Sequence, residues 1–199
     1  MAEKFKGELV SWAAMYDITR RLALQIADSG FRPDVIVAVA RGGFVPARIL
    51  CDFLGVTSLG SLRIVHYRAG AAKEKEARLV APLNLDVRGK KVLVVDDIVD
   101  TGDTLVVAMA HLADCGAAAI RTAVVQTKKG ACFTPDYVAR KIITWRWIIY
   151  PWAVIEDLTG FLKKERVSGW SKEQIEETLF RLYGIKVTKK IISDLLRYL

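Results

Sequence analysis

The residues best suited to chemistry lie in one acid-rich segment, residues 92–105, which reads VLVVDDIVDTGDTL. An apolar run ends at Asp96 and Asp97, and a Thr-Gly-Asp-Thr turn then leads into a helix. Such a turn presents backbone N–H groups and hydroxyls at the positive end of a helix dipole, where anions bind. Two adjacent carboxylates can hold vicinal hydroxyls or a hydrated Mg²⁺. The segment therefore predicts a site for a ribose 5-phosphate, whereas an N-cap with a solvated turn would account for Thr101 or Asp100 alone.

A second turn, Arg41-Gly42-Gly43, follows the continuous apolar run at residues 34–40. An arginine there can donate two parallel hydrogen bonds to a pyrophosphate group, and glycines let the backbone approach the ligand closely. A tight turn that carries a surface arginine is the competing interpretation.

Strands and helices alternate along most of the chain. Strands are predicted in five apolar segments, residues 34–40, 61–67, 90–97, 119–127 and 141–150. This alternation is typical of an open α/β sheet, in which ligands bind beyond the carboxyl ends of strands at a topological switch point. Both chemistry-bearing turns follow predicted strands, so both are expected at that edge of the sheet.

Two other segments differ in character. Residues 68–82 are polar and rich in Ala and Lys, which predicts a long mobile loop with strand-like edges. From Ala153 onward three helical segments follow, and the second begins with capping-box spacing at Ser171. We therefore predict an α/β domain over residues 1–152 and a helical bundle over residues 153–199.

Composition narrows the class of protein further. The chain has 199 residues, 52% of them hydrophobic, and a formal net charge of +8, which suits a folded domain with nucleic acid or a phosphorylated substrate as partner. No apolar run reaches the roughly 18 residues of a membrane span. The three cysteines form neither a metal-binding spacing nor a disulfide framework, so we expect a cytoplasmic protein. One Asn and three Gln among many charged residues indicate a heat-loving source.

The acid-rich motif resembles the phosphoribosyl-pyrophosphate (PRPP) motif of type I phosphoribosyltransferases. The similarity extends to VAVARGGFVPARIL, which resembles the pyrophosphate loop, and to TKKGACFTPDY and WRWIIYPW, which resemble the purine-binding segments of the 6-oxopurine branch, particularly its archaeal members. It covers about residues 8–157. The resemblance implies an α/β fold with a mainly parallel five-stranded sheet flanked by helices, to which this chain adds a C-terminal helical bundle.

The resemblance also implies a reaction, the Mg²⁺-dependent transfer of a 5-phosphoribosyl group from PRPP to a purine nitrogen with release of pyrophosphate. Asp100 would be the general acid/base at purine N7, and Arg41 would assist catalysis at the pyrophosphate. The ribose and 5′-phosphate would be held by Asp96, Asp97, Asp100, Thr101, Gly102, Asp103 and Thr104. The pyrophosphate would be held by Ala40, Arg41, Gly42, Tyr67 and Lys73, with a cis peptide bond between Ala40 and Arg41.

For the purine, the matching residues are Lys128 at the exocyclic O6, Trp147 stacked on the ring and Ile148 at the base edge. The alignment at Lys128 could slip by one residue, to Thr127 or Lys129. Asp96 and Asp97 match the metal-binding acids, directly or through the sugar. Ala153 departs from the family, because many relatives carry an acid there, some of them near the metal, and Glu156 or Asp157 is the candidate substitute. His66 and His111 have no partners that the sequence reveals.

Two alternatives stay open at this point, and a third is set aside. Lys128 and Asp100 favour hypoxanthine, guanine or xanthine as the base, but the helical tail resembles that of crenarchaeal adenine phosphoribosyltransferases. A PRPP-sensing regulator that binds nucleic acid is the alternative from another class, although the interleaved charges of the tail make a nucleic-acid partner the weaker expectation. A dinucleotide-binding protein is set aside because no GxGxxG follows the first strand. A homodimer is the oligomer that the resemblance implies.

Overall fold

The computed structural model describes residues 5–68, 75–165 and 169–199. Eight strands and six helices lie in these ranges, in an order that alternates strand and helix through most of the chain. The strands are β1 Gly7–Leu9, β2 Val35–Ala40, β3 Leu59–Arg68, β4 Lys75–Ala81, β5 Lys91–Val99, β6 Ala119–Lys128, β7 Tyr137–Ile142 and β8 Trp147–Ile149. The helices are α1 Trp12–Asp28, α2 Phe44–Leu54, α3 Asp103–Asp114, α4 Val154–Lys163, α5 Lys172–Tyr183 and α6 Lys189–Leu195.

The main sheet has six strands in the order β4-β3-β2-β5-β6-β7. Five of them are parallel, and only the edge strand β4 is antiparallel, to β3. The predicted α/β fold with a mainly parallel sheet flanked by helices is confirmed, but the sheet has six strands rather than five because β4 adds an antiparallel strand at its edge. Strand order reverses between β2 and β5, so the carboxyl ends of these two strands form the topological switch point where ligands bind in such sheets.

Continuous apolar strands are explained by burial on both faces of this sheet. One face packs against α3, with Val94, Leu105 and Leu112 in its core. The other face packs against α1 and α2, with Leu22 and Leu50 in its core. The two helix layers therefore hold β2 and β5 rigidly. The turns predicted to be functional follow the carboxyl ends of these two strands.

The chain divides into two compact units. Residues 16–143 form the first, which holds the six-stranded sheet, and residues 1–15 together with 144–199 form the second. In the second unit β1 pairs with β8 in parallel, and α4, α5 and α6 share a core with Ile149. The domain boundary proposed between residues 152 and 153 stays a prediction.

One sequence-based expectation needs correction, and a second is confirmed at its edges. The strand predicted over residues 141–150 is two strands, since β7 ends at Ile142 in the main sheet and β8 begins at Trp147 in the small one. The strand-like edges predicted for residues 68–82 are confirmed, since β3 ends at Arg68 and β4 pairs with β3 in antiparallel. The middle of that segment, residues 69–74, lies outside the described residues, as does the role predicted there for Lys73.

Local signals in the helical tail are confirmed. The Ser171 hydroxyl accepts a hydrogen bond from Gln174 N, and the Gln174 side chain accepts one from Ser171 N, which makes a complete capping box. Thr188 caps α6 in a similar way. Across the three described ranges, none of the helices combines the length and apolar character that crossing a bilayer requires.

Candidate active site

Two adjacent carboxylates lie near the carboxyl end of the central strand β5. Asp96 is 8% exposed, Asp97 is half-buried, and Asp97 N donates to Asp96 Oδ1 at 2.9 Å. Burial, and then the charge of Asp97, raises the pKa of Asp96 well above its usual value. A pair of this kind is poised to receive hydroxyl donors or a cation, either of which would offset the mutual repulsion of the acids.

The turn that follows β5 is shaped by a glycine. Gly102 is the N-cap of α3 at φ 108°, and a Cβ at that position would overlap the side chain of Phe133. The Thr101 hydroxyl donates to Asp103 Oδ2 at 2.8 Å, and Cys132 N donates to Thr101 O at 3.0 Å. The structure thus fixes the predicted phosphate turn from two sides. The support from Phe133 and Cys132 was not foreseen, because both residues lie about 30 positions further along the chain.

The turn after β2 lies directly against the acids. The peptide bond between Ala40 and Arg41 is cis, as the resemblance implies. A Cβ at Gly42 would overlap the Asp97 carboxylate, and one at Gly43 would collide with the carbonyl oxygens of β2 and β5. The predicted pyrophosphate turn and the predicted ribose acids are therefore neighbours at the switch point, and Arg41 is exposed there.

An ion pair joins two of the predicted functional residues. Lys128 Nζ lies 2.9 Å from Asp100 Oδ2, so the carboxyl ends of β5 and β6 meet at this contact. The Asp100 side chain is 67% exposed and that of Lys128 is 14% exposed. The acid thus faces the open edge of the site while the lysine reaches it from a half-buried position. Sequence alone indicated both residues but not that they are bonded to each other.

Strand β3 contributes a histidine to the same turn. His66 Nε2 lies 3.1 Å from the Thr104 hydroxyl, a partner that the sequence did not reveal. His111 lies in α3, and its Nε2 accepts a hydrogen bond from Leu83 N at 3.1 Å, which the sequence also did not reveal. Tyr67, the residue after His66, pairs with Glu76 in the β3–β4 ladder. His66 was missed because a contact between β3 and α3 has no signature in either segment.

Trp147 and Ile148 belong to the second compact unit. Trp147 begins β8, its backbone N–H donates to Lys6 O at 3.0 Å, and its side chain is 41% exposed. The ring meets Phe161 edge-on, with centroids 5.8 Å apart and planes at 83°. Ile148 is buried at 8% exposure and pairs with Glu8. Trp147 is thus an accessible aromatic ring held in a fixed orientation, which is what a stacking platform requires.

Asp157 is a partner of Trp147 that the sequence did not reveal. Burial raises the pKa of Asp157, a hydrogen bond from the Trp147 side chain opposes that rise, and the charge of Glu156 adds to it. The indole N–H is the only donor of that side chain, so it donates to the Asp157 carboxylate. Asp157 lies ten residues beyond Trp147, on the first turn of α4. It therefore fixes the tryptophan ring rather than standing free.

For a metal ion, Asp96 and Asp97 are the acids in question. Among residues 5–68, 75–165 and 169–199, no group of three or more His, Cys, Asp and Glu side chains is arranged to hold an ion. Mg²⁺ is commonly bound through one or two carboxylates together with waters and substrate phosphates. An adjacent acid pair of which Asp97 is only half-buried fits that mode of binding.

Comparison with known proteins gives a consistent result. The family model for the phosphoribosyl transferase domain matches residues 6–157. The xanthine-guanine phosphoribosyltransferase of Gluconobacter oxydans (strain 621H) is 28% identical over 143 residues, which are 72% of this chain and 82% of that protein. The enzyme of the same name from Ruegeria sp. (strain TM1040) is 32% identical over 110 residues, 50% of this chain and 61% of that protein.

A solved structure extends the similarity to three dimensions. The purine phosphoribosyltransferase from Pyrococcus horikoshii Ot3 superposes with a TM-score of 0.65 at 31% identity, covering 74% of this chain and 93% of that one. The family match ends at residue 157, inside α4, so α5 and α6 lie beyond it.

Proposed function

The chain belongs to the phosphoribosyltransferase family, and from that premise we propose that it transfers the phosphoribosyl group of PRPP to a 6-oxopurine base in purine salvage. Pyrophosphate and a purine nucleoside 5′-monophosphate are the products. The names of its relatives support a purine substrate. The observation that carries the choice among purines is the ion pair between Lys128 and Asp100.

This pair offers a donor and an acceptor side by side. In the tautomer of a 6-oxopurine that carries a proton on N7, O6 is an acceptor and N7–H is a donor on the same edge of the base. The Lys128 ammonium complements O6 and the Asp100 carboxylate complements N7–H. Adenine presents an amino group in place of O6, and a lysine has no acceptor to offer it. The pair therefore favours hypoxanthine, guanine or xanthine over adenine.

In the proposed reaction, one bond at C1′ of the ribosyl group replaces another, and one proton leaves the purine. The lone pair of purine N9 forms a bond to C1′ of the ribosyl group while the bond from C1′ to the pyrophosphate oxygen breaks. Its electron pair leaves on the pyrophosphate, and the N7 proton passes to Asp100. Arg41, exposed at the adjoining turn, would stabilise the charge that develops on the leaving group.

The remaining residues of the proposed site would bind the other parts of PRPP, the purine ring and the metal ion. Asp96 and Asp97 would bind the ribose hydroxyls, and Gly102 opens the turn whose Thr101 to Thr104 groups would bind the 5′-phosphate. Gly42 and the Ala40–Arg41 peptide would contact the pyrophosphate, together with Tyr67 and Lys73. Trp147 would stack on the purine, and the backbone of Ile148 would meet its edge. A Mg²⁺ ion held near Asp96 and Asp97 would neutralise charge on the pyrophosphate.

The test is a panel of adenine, hypoxanthine, guanine and xanthine, each with PRPP and Mg²⁺, with pyrophosphate release as the readout. We expect at least one 6-oxopurine to be used about 100-fold more efficiently than adenine, judged by kcat/KM. Preference for adenine would contradict the base assignment. PRPP binding without pyrophosphate release for any base would instead favour the regulator.

Three variants sharpen that panel. Lys128→Met is expected to raise KM for the 6-oxopurine and lessen discrimination against adenine, whereas Lys129→Met, one residue along on the exposed side, is the matched control. An effect of Lys129→Met alone would mean that the alignment slips by one residue. Asp100→Asn is expected to lower kcat by about 100-fold or more, since general acid/base catalysis contributes that much.

A homodimer, a cytoplasmic location and a heat-loving source stay predictions from the sequence. The oligomeric state is measurable by sedimentation equilibrium, and we expect the mass of a dimer.

A further inference from the structure

A basic cavity of about 480 Å³ lies within the second compact unit, the one formed by residues 1–15 and 144–199. It is lined by Lys6, Gly7, Arg146, Phe180, Arg181 and Gly184. Its walls come from three places in the sequence, the starts of β1 and β8 and the end of α5. The α5 wall lies beyond the residues matched by the family model. No role in the proposed reaction has been given to any of these six residues.

The cavity brings like charges together. Lys6 and Arg146 directly precede Gly7 and Trp147, which are paired in the β1–β8 ladder, so the two cations begin neighbouring parallel strands. Arg181 faces the same cavity from α5. Cations placed next to one another on adjacent strands destabilise a sheet unless something neutralises them.

No carboxylate in the described part of the protein supplies that neutralisation. Within the described ranges, none of Lys6, Arg146 and Arg181 has an Asp or Glu oxygen within 4 Å. By contrast, arginines elsewhere, such as Arg88 and Arg121, do pair with acids. Arg146 is also half-buried, so water screens its charge less than it screens a fully exposed one. The cavity is therefore complementary to an anion.

An aromatic ring at the cavity indicates more than a bare anion. Phe180 is 54% exposed although it is a large apolar side chain, and the Lys186 ammonium lies 5.3 Å from the centre of its ring. A nucleobase can stack on such a ring, and this stacking tolerates any base because every base has a π-face. Lys186 adds a fourth positive charge beside the same ring.

We propose that this cavity is a nucleotide-binding site that takes a nucleoside triphosphate, with the phosphates at Lys6, Arg146 and Arg181 and the base on Phe180. The volume is in the range of small-ligand sites. α5 ends at Gly184, and the negative half charge of a helix C-terminus opposes an anion, but three or four full positive charges outweigh it. This proposal does not rest on the proposed reaction, because it uses no residue of the PRPP or purine site.

The experiment is a calorimetric titration of the whole protein with GTP and ATP, with inorganic tripolyphosphate as the probe without a base. We expect both nucleotides to bind and tripolyphosphate to bind about tenfold more weakly, since stacking on Phe180 is lost. Phe180→Ala should weaken GTP binding to the level of tripolyphosphate. Equal affinity of GTP and tripolyphosphate for the wild-type protein would overturn the assignment to a nucleotide.

Charge reversals locate the site. Arg181→Glu is expected to weaken GTP binding at least tenfold, while Lys190→Glu, the same change on an exposed lysine of α6 outside the cavity, should stay within twofold. Equal losses in both variants would mean attraction by net charge alone and would overturn the proposal. If Arg181→Glu lowers the Tm, Arg181→Met replaces it in the experiment, and it should also weaken GTP binding.

Two further outcomes decide against the proposal. Absence of any GTP or ATP binding at millimolar concentration would overturn it. Binding of single-stranded oligoadenylate through the same residues, 100-fold more tightly than ATP, would assign the cavity to nucleic acid instead. Catalytic constants of Arg181→Glu within twofold of the wild type would show that the lost site is not the catalytic one.

Discussion

The orientation of one tryptophan depends on one carboxylate. Trp147 meets Phe161 edge-on, which fixes the tilt of the ring, and its indole N–H donates to Asp157, which fixes the rotation of the ring in its plane. An aromatic platform contributes to binding a purine only when its face is already in place, because ordering it on binding would cost conformational entropy. Asp157 is therefore a positioning residue for the proposed base site.

We expect Asp157→Ala to raise KM for the purine by about fivefold, while kcat and KM for PRPP change by less than twofold, since ordering the freed tryptophan on binding would cost about 0.5–1.5 kcal/mol. Asp157→Asn keeps an acceptor oxygen and should restore most of the affinity. Steady-state kinetics with each substrate varied in turn make the measurement.

Glu156→Ala removes the neighbouring acid and is the matched control. A purely structural role of Asp157 would raise both KM values and lower the Tm in parallel, and that pattern would contradict the positioning role. If Trp147→Ala itself left KM for the purine unchanged, the proposed stacking of Trp147 on the purine would be wrong, and Asp157 would have no platform to position.

From the residues alone, the chemistry of a site could be predicted only where its residues are consecutive in the chain. The acids and the glycine turn between Asp96 and Thr104 are consecutive, so their type and order indicated a sugar-phosphate site directly. The bond between Lys128 and Asp100 joins residues 28 positions apart, and the bond between His66 and Thr104 joins residues 38 apart. Contacts of this kind depend on which strands are neighbours, and no local pattern encodes that.

At the scale of elements, the strands buried on both faces were the most predictable. Residues 34–40 and 90–97 are apolar through most of their length because each strand has a helix layer on both sides, and the structure places β2 and β5 there. The predicted strand at 141–150 failed for a related reason. Its two halves are both apolar and β-branched, but their partners β6 and β1 lie in different sheets. The apolar pattern of a segment indicates that a strand is buried but not which other strand it pairs with.

One aspartate adds side-chain bonds to the backbone pairing of β6 with β7. Asp136 directly precedes β7 and accepts hydrogen bonds from Thr122 N at 2.8 Å and from the Thr122 hydroxyl at 2.9 Å, and it is paired with Arg121. Burial alone would raise the pKa of Asp136, but the hydrogen bonds from Arg121 and Thr122 outweigh it, and the net pKa is lowered. Thr122 is fully buried, so its donors have no access to water.

We expect Asp136→Asn to lower the free energy of unfolding at pH 7 by about 1–2 kcal/mol, because a partly buried set of hydrogen bonds loses its charged acceptor. The pKa of Asp136 is lower in the folded protein, so its stabilisation is present above the unfolded pKa and is lost as pH falls through the folded one. The difference between variant and wild type should therefore shrink below about pH 4. Urea unfolding at pH 7 and at pH 3 measures it.

Asp114→Asn supplies the comparison for that measurement. Asp114 is exposed at the end of α3, and within the described part of the chain no ion pair holds it. Its substitution should leave the urea midpoint nearly unchanged at both pH values. A difference for Asp136→Asn that stayed constant from pH 7 to pH 3 would mean that the loss comes from packing and not from the ionised carboxylate.

At the scale of the whole molecule, the chain has a net positive charge, whereas the candidate sugar-phosphate segment is negatively charged. The candidate sugar-phosphate segment contains four aspartates between residues 96 and 103, which by themselves would repel a polyanion. The chain as a whole carries a formal charge of +8. A net positive field attracts a polyphosphate from a distance, while the local acids act only on hydroxyls and cations at contact.

This division of roles predicts different salt responses for the two proposed substrates. Raising KCl from about 20 to 500 mM shortens the Debye length from roughly 20 Å to under 5 Å, so KM for PRPP should rise severalfold. The purine bases hypoxanthine and guanine are neutral at pH 7, and their KM should change by less than twofold. Initial rates at constant excess Mg²⁺ measure both constants, and replacing KCl by potassium acetate at the same ionic strength controls for chloride binding. Equal increases in the two KM values would show that salt acts on the fold or on catalysis, and the long-range attraction argued from the net charge would then be wrong.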